Sequence, residues 1–138
     1  MVEITELMTP NPVCVPATTT IADAARRMRD DDIGDVLVMD GGRVCGILTD
    51  RDIVIRAIAG GLDPDTTTAA ECASTELVTV SPRDKLDHAV RLMRDCALRR
   101  IPVVDDGKPI GMLTIGDVAI DREPASVLAD VSGAPPNH

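Results

Sequence analysis

The stretch GILTDRD at residues 46–52 returns as GMLTIGD at residues 111–117, and this shift of 65 residues most constrains how the chain can fold. The same shift aligns residues 4–54 with 69–119 without a gap, and fifteen of the 51 pairs are identical. Among them are Val13/Val78, Ala24/Ala89, Met28/Met93, Val38/Val103, Asp40/Asp105, Gly46/Gly111, Thr49/Thr114 and Asp52/Asp117. A repeat of this length is one supersecondary unit with too little interior to be stable alone, so the two copies are expected to pack on each other. A chain of 138 residues has room for such a pair, with a hydrophobic core, and for little else.

Each copy spells out the same elements. A short strand (Val13 to Val15; Val78 to Val80) leads into a polar turn able to cap a helix. The next apolar residues fall at i, i+3, i+4 and i+7, namely Ile21, Ala24, Ala25, Met28 and Leu86, Ala89, Val90, Met93, which is one face of a helix. The runs DVLVMD and RIPVVD are short and almost wholly apolar, as in strands buried on both faces. The turns DGGR and DDGK reverse the chain into VCGIL and PIGML. A final helix follows, capped by Thr49 or Asp50 and ended by Gly60 and Gly61 in the first copy. In the second copy it opens at Thr114 and must stop before Pro124. The fold class is therefore α/β (α+β), with each repeat β-α-β-β-α. Residues 1–60 hold the first repeat and its N-terminal segment, 61–70 the linker, and 71–123 the second repeat. Residues 124–138 form a C-terminal segment, aperiodic at its end and expected to be loose.

Composition narrows the function. The formal net charge is −9, and there is no Phe, Trp or Tyr, which argues against nucleic acid as a partner. Anionic membranes are disfavoured by the same charge. The opening MVEITELMTP is acidic and soon broken by Pro10, unlike a secretory signal, and apolar runs such as VLVM fall far short of the roughly 18 residues of a membrane span. A cytoplasmic protein is expected. The four cysteines form no C-x-x-C pair and only two histidines are present, so no zinc pattern is legible. Cys14, Cys45 and Cys96 stand in apolar or helical contexts and are expected to be buried, reduced thiols, with a disulfide from Cys14 to another strand cysteine as the minor alternative.

The repeat order, the MTPNPVCV opening, the IPVVDD strand and the G-h-h-T-x-x-D ending together resemble a pair of cystathionine beta-synthase (CBS) domains. The resemblance covers residues 4 to about 120. It implies two repeats docked about a pseudo-twofold axis as a Bateman module, in the stand-alone form, commonly paired into a homodimer. It implies adenosine-type ligands such as AMP, ATP or S-adenosylmethionine in the clefts between repeats, with no obligatory cofactor. One departure stands out: TIGD replaces the more familiar TDRD or TRSD in the second copy, and Gly116 costs the helix start up to about 1 kcal/mol relative to Ala.

On that resemblance the ligand residues can be placed. Thr114 offers a hydroxyl near a phosphate, and Asp117, one turn on, can accept from both hydroxyls of a ribose. Thr49 and Asp52 repeat the pair in the first copy. The same spacing also describes a helix-capping box, a structural role. Arg99 and Arg100 stand just before IPVVDD, where arginine forks can grip phosphate oxygens. Alternatively they close a helix end, where the dipole favours cations. Their first-copy counterparts are Gly34 and Asp35, and a carboxylate there would repel phosphate. One site is thus expected on Thr114, Asp117, Arg99 and Arg100, with Val13 and Met112 as apolar walls for a base. The other, on Thr49, Asp52, Ile47 and Val78, is expected to be empty or to prefer a less charged nucleoside, unless Arg51 compensates.

No catalytic pairing, glycine-rich phosphate loop or metal constellation is legible, and His88 is expected to be a solvated helical residue, so the chain is not expected to be an enzyme. Two functions remain: a nucleotide-sensing regulatory module, acting through a homodimer on an unknown protein partner, or a ligand-free structural or protein-interaction dimer of the same fold, with a stress-related role as its expected setting.

Overall fold

A computed structural model describes residues 2–121. In chain order they form α1 (Ile4–Leu7), β1 (Thr9–Pro10), β2 (Cys14–Pro16), α2 (Ile21–Asp31), β3 (Asp35–Asp40), β4 (Arg43–Thr49), α3 (Asp50–Asp52), a π-helical turn (Ile53–Ile58), α4 (Ala69–Cys72), α5 (Leu86–Asp95), β5 (Arg100–Asp105), β6 (Lys108–Thr114) and α6 (Ile115–Asp121). The mixed α/β architecture contains two three-stranded sheets, ordered β2-β3-β4 and β1-β6-β5. The stop before Pro124 and the loose tail fall outside the described residues.

The chain divides into two compact units. Among the described residues, one is Val13–Leu77; the other joins residues 2–12 to residues 78–121. The sequence boundaries 1–60, 61–70 and 71–123 follow the echo, whereas the units follow contact, and the difference is a reciprocal exchange of segments. In one unit Thr9 and Pro10 pair antiparallel with Met112 and Gly111 of β6. In the other, Ser74 pairs antiparallel with Ile47 of β4. Ile4 of α1 is fully buried in the core holding Leu86, Ile101 and Leu113, while Ala69 of α4 is fully buried in the core holding Ile21, Val36 and Leu48. Each pair of equivalents is related by the same shift of 65.

This crossing explains two of the repeated glycines. A Cβ on Gly46 would stand 2.7 Å from the Ser74 carbonyl oxygen, and one on Gly111 would strike the Met8 side chain and come within 3.1 Å of the Thr9 carbonyl oxygen. Glycine inside a strand marks such a close backbone approach.

Within each unit the hydrophobic pattern explains the elements. Helix α2 buries Ile21, Ala24 and Met28, and α5 buries Leu86, Ala89 and Met93. Thr20 caps α2 by accepting from the Asp23 N–H at 3.2 Å; Lys85 stands at that position for α5 and offers no side-chain cap. The hairpins β3–β4 and β5–β6 turn through Gly41 and Gly42 and through Asp106 and Gly107. All four have positive φ, as a type I′ turn requires. Each fully buried leucine, such as Leu48 or Leu113, contributes about 1.5–3 kcal/mol.

Three expectations are corrected. Val78–Val80 does not form a strand: the segment has a single parallel bridge, Val80 to Val103. In the first repeat the ladder is extended by the Leu37 N–H to the Val13 carbonyl and the Ala17 N–H to the Met39 carbonyl. The equivalents of Leu37 and Ala17 are Pro102 and Pro82, which have no N–H to give. The last helix of the first repeat is α-helical for one turn only. It then runs in π register, with the Ala59 N–H bonded to Val54 and the Leu62 N–H to Ala57, before Gly61 ends it at φ +72°. The cysteines differ too: Cys45 and Cys96 are exposed and Cys14 is half-buried, while Cys72, on the exchanged helix α4, is the buried one. Cys45 points away from the core because it alternates with buried Gly46 and Leu48, and Cys96 follows the last turn of α5. No disulfide forms among them.

Candidate functional site

The hairpin ends carry the candidate residues. In the second-repeat unit, Arg100 opens β5 directly opposite Thr114, the last residue of β6. The Arg99 carbonyl accepts from the Ile115 N–H at 2.8 Å, so the arginine pair is tied to the start of α6. Both arginines are exposed and lie on the strand entry, beyond the end of α5 at Asp95. Thr114 and Asp117 bond reciprocally: the Thr114 N–H donates to Asp117 Oδ2 at 2.9 Å, and the Asp117 N–H donates to Thr114 Oγ1 at 3.2 Å. Asp117 Oδ1 has no hydrogen-bond partner among the described residues. Met112, opposite Pro102, is half-buried two residues before Thr114.

The first-repeat unit repeats this frame with other chemistry. Asp35 faces Thr49, and the Asp50 N–H donates to the Gly34 carbonyl at 2.9 Å. Thr49 and Asp52 form the same box, with both bonds at 3.0 Å. Here the surroundings are acidic, with Asp35 and Asp50 where the other unit has Arg100 and Ile115. Arg51 is exposed beside them. Ile47 pairs with Leu37, whose N–H bonds the Val13 carbonyl, so Val13, Ile47, Thr49 and Asp52 share one unit. Val78 belongs to the unit of Met112, Thr114 and Asp117. The pairing of Val13 with Met112, and of Val78 with Ile47, is therefore not made within either unit.

Sequence reasoning passed over Arg56. Its Nη1 donates to the carbonyls of Cys72 and Ala73 at 3.1 and 3.4 Å, and its Nε lies 3.8 Å from Asp52 Oδ1. Continuing the repeat register two residues past its aligned end would have exposed it, because Arg56 there meets Asp121. Burial pushes the Cys72 thiol upward, helped by the Glu71 carboxylate and opposed by Arg56. Among the described residues no group of three or more His, Cys, Asp or Glu side chains is placed to hold a metal ion. His88 is exposed on α5. No described helix is long and apolar enough to cross a membrane.

The CBS domain model matches residues 4–58 and again 69–120. The chain belongs to the CBS-domain family. Its relatives include Hypoxic response protein 1 of Mycobacterium tuberculosis, 36% identical over 115 residues, spanning 83% of this chain and 80% of the relative. The crystal structure of Hypoxic Response Protein I with two coordinated zinc ions superposes with a TM-score of 0.81 at 35% identity, covering 88% of this chain and 100% of the other. The structure of CBSX2 in complex with AMP does so with a TM-score of 0.74 at 26% identity, covering 88% and 96%. In this CBS pair both Thr/Asp elements are helix caps, and what differs is the charge set around them.

Proposed function

We propose that this CBS pair is a nucleotide-sensing regulatory module that takes an adenosine nucleotide of the AMP type on Arg99, Arg100, Thr114, Asp117 and Met112. The observation that carries the reading is the convergence of Arg99 and Arg100 on the hairpin end that holds the Thr114–Asp117 box. The box fixes the Asp117 carboxylate while leaving Oδ1 to accept from a ribose diol, and the guanidinium forks suit phosphate oxygens. The AMP complex of CBSX2, a structural neighbour, supports the ligand class. The Thr49–Asp52 element, amid Asp35 and Asp50, favours an uncharged nucleoside or a cationic group over a phosphate. Regulation follows if the nucleotide binds one state of the module better than another.

The second reading, an interaction dimer without ligand, draws on a different feature. Val54, Ile55, Ile58 and Leu62 are 56%, 52%, 58% and 45% exposed on and just after the π-helical turn, an apolar face that a second copy can cover. A homodimer serves both readings. Calorimetric titration of AMP, ATP and S-adenosylmethionine, with sedimentation of the same samples, separates them. Sensing requires binding of at least one nucleotide below millimolar concentration and a loss of about tenfold or more in Arg100→Ala, the worth of a hydrogen bond to a charged group. A dimer that binds none of the three leaves the interaction reading.

A further inference from the structure

The Thr49–Asp52 box differs from its counterpart in what lies behind it. Asp52 is only 9% exposed. Its Oδ2 is taken by the Thr49 N–H, and its Oδ1 faces Arg56 Nε at 3.8 Å. The other edge of that guanidinium donates through Nη1 to the Cys72 and Ala73 carbonyls at 3.1 and 3.4 Å. These carbonyls end α4, where a short helix leaves acceptors without intrahelical donors. The next residue, Ser74, is the one that pairs with Ile47 of β4. One side chain therefore reaches from the candidate ligand carboxylate to the segment by which the chain leaves this unit. In the second repeat the shift of 65 puts Asp121 at the place of Arg56. A carboxylate has no N–H to give a carbonyl, so the sequence does not repeat this donor at the matching position.

We infer that Arg56 is a positioning residue that couples the Asp52 carboxylate to the connecting segment 69–74 in the first-repeat unit. The carboxylate fixes the Nε edge of the guanidinium and so aims Nη1 at the two carbonyls. Neutralising Asp52, or occupying its Oδ1 with ligand hydroxyls, removes that anchor and loosens the segment at Ser74. Coupling of this kind is reciprocal: whatever tightens the segment weakens ligand at Asp52 by the same factor. The ligand half rests on the proposed nucleotide reading; the link between Asp52, Arg56 and Ser74 does not.

Amide hydrogen exchange followed by NMR on the full chain tests it, a suitable probe in a protein with no Trp or Tyr. The reporter is the Ser74 N–H, bonded to the Ile47 carbonyl at 2.9 Å, and the control is the Asn11 N–H, bonded to the Ile110 carbonyl in the other unit. Without ligand, Arg56→Met is expected to lower Ser74 protection about tenfold relative to Asn11, since it loses the bonds to the two carbonyls. Asp52→Asn, which keeps an acceptor for the box and loses only the 3.8 Å ion pair that aims Arg56, is expected to lower it about threefold. The double variant is expected to lose little more than Arg56→Met, and Arg56→Lys to recover part of the loss. Additive single variants, or Ser74 and Asn11 falling together, would overturn the coupling and leave Arg56 an ordinary structural residue. Saturating adenosine, the uncharged nucleoside that the acidic setting of Asp52 favours, is then expected to lower Ser74 protection in the wild type but not in Arg56→Met. Adenosine that binds without moving Ser74 overturns the ligand half. If neither adenosine nor AMP gives heat, the nucleotide reading fails, while the variant cycle still decides the link.

Discussion

The two hairpin ends share a backbone and disagree in charge. Arg100 lies across from Thr114 where Asp35 lies across from Thr49, and the Ile115–Arg99 bond has its twin in Asp50–Gly34. The duplicated bonds build the frame in both places, including the Thr/Asp cap, which by itself is a folding device. The unduplicated residues are the ones that differ in charge: two exposed arginines on one side, an acidic setting with Arg56 behind it on the other. In a tandem repeat, likeness speaks for architecture and difference speaks for function.

The comparison can be broken hardest in the cores. Leu48 and Leu113 are equivalent and both fully buried, so Leu48→Ala and Leu113→Ala should each cost about 3 kcal/mol in urea denaturation. Costs differing by more than about 2.5 kcal/mol, beyond the usual scatter of such sites, would mean that the two units do not share one packing solution. The crossing glycines should separate them by a smaller margin. Gly46→Ala drives a methyl against the Ser74 backbone, which cannot swing away, and should cost about 2 kcal/mol. Gly111→Ala meets mainly the flexible Met8 side chain, and about half that cost is expected, read from the same denaturation curves. The smallest difference should appear at alkaline pH. Burial raises the Cys72 thiol, and Cys14 is raised for the same leading reason with Arg27 opposing. A thiol raised in the folded state gives stability that is present below its unfolded value, near about 8.5, and lost as pH rises through the folded value. The second-repeat equivalents are Thr79 and Leu7, so this alkaline loss belongs to the first-repeat unit. Replacing Cys14 by Thr and Cys72 by Ala should flatten the fall in stability between about pH 8 and 10. An unchanged slope would assign it elsewhere.

Much of this frame was legible in the residues. Strands β3 to β6 and both long helices follow from apolar runs and i, i+3, i+4, i+7 spacing, because those signals are local and survive without knowledge of neighbours. The Thr/Asp box was legible as well, as one of two meanings of its spacing. What escaped is non-local. Nothing in ITELMTP says that it will lie on β6, although Gly111 and Gly46, glycines inside otherwise apolar strands, were the trace that a crossing segment leaves. The missing strand at 78–80 depended on Pro102, a residue that looks harmless within its own strand and is costly only to the neighbour that needed its N–H. Arg56 escaped because its partners are the backbone of a segment 16 and 17 residues away, which leaves no pattern in side-chain spacing.

The exchanged segments also set an order of events during synthesis. Ile47 and Ser74 are separated by about 30 residues, whereas Thr9 and Met112 are about 100 apart, and contacts that distant in sequence close slowly. The first-repeat unit has every strand it needs once Leu77 has left the ribosome. Residues 4–10, made before the first-repeat unit, wait with Ile4 and Met8 uncovered until β6 emerges, and so a stretch synthesised ahead of that unit finds its place after it.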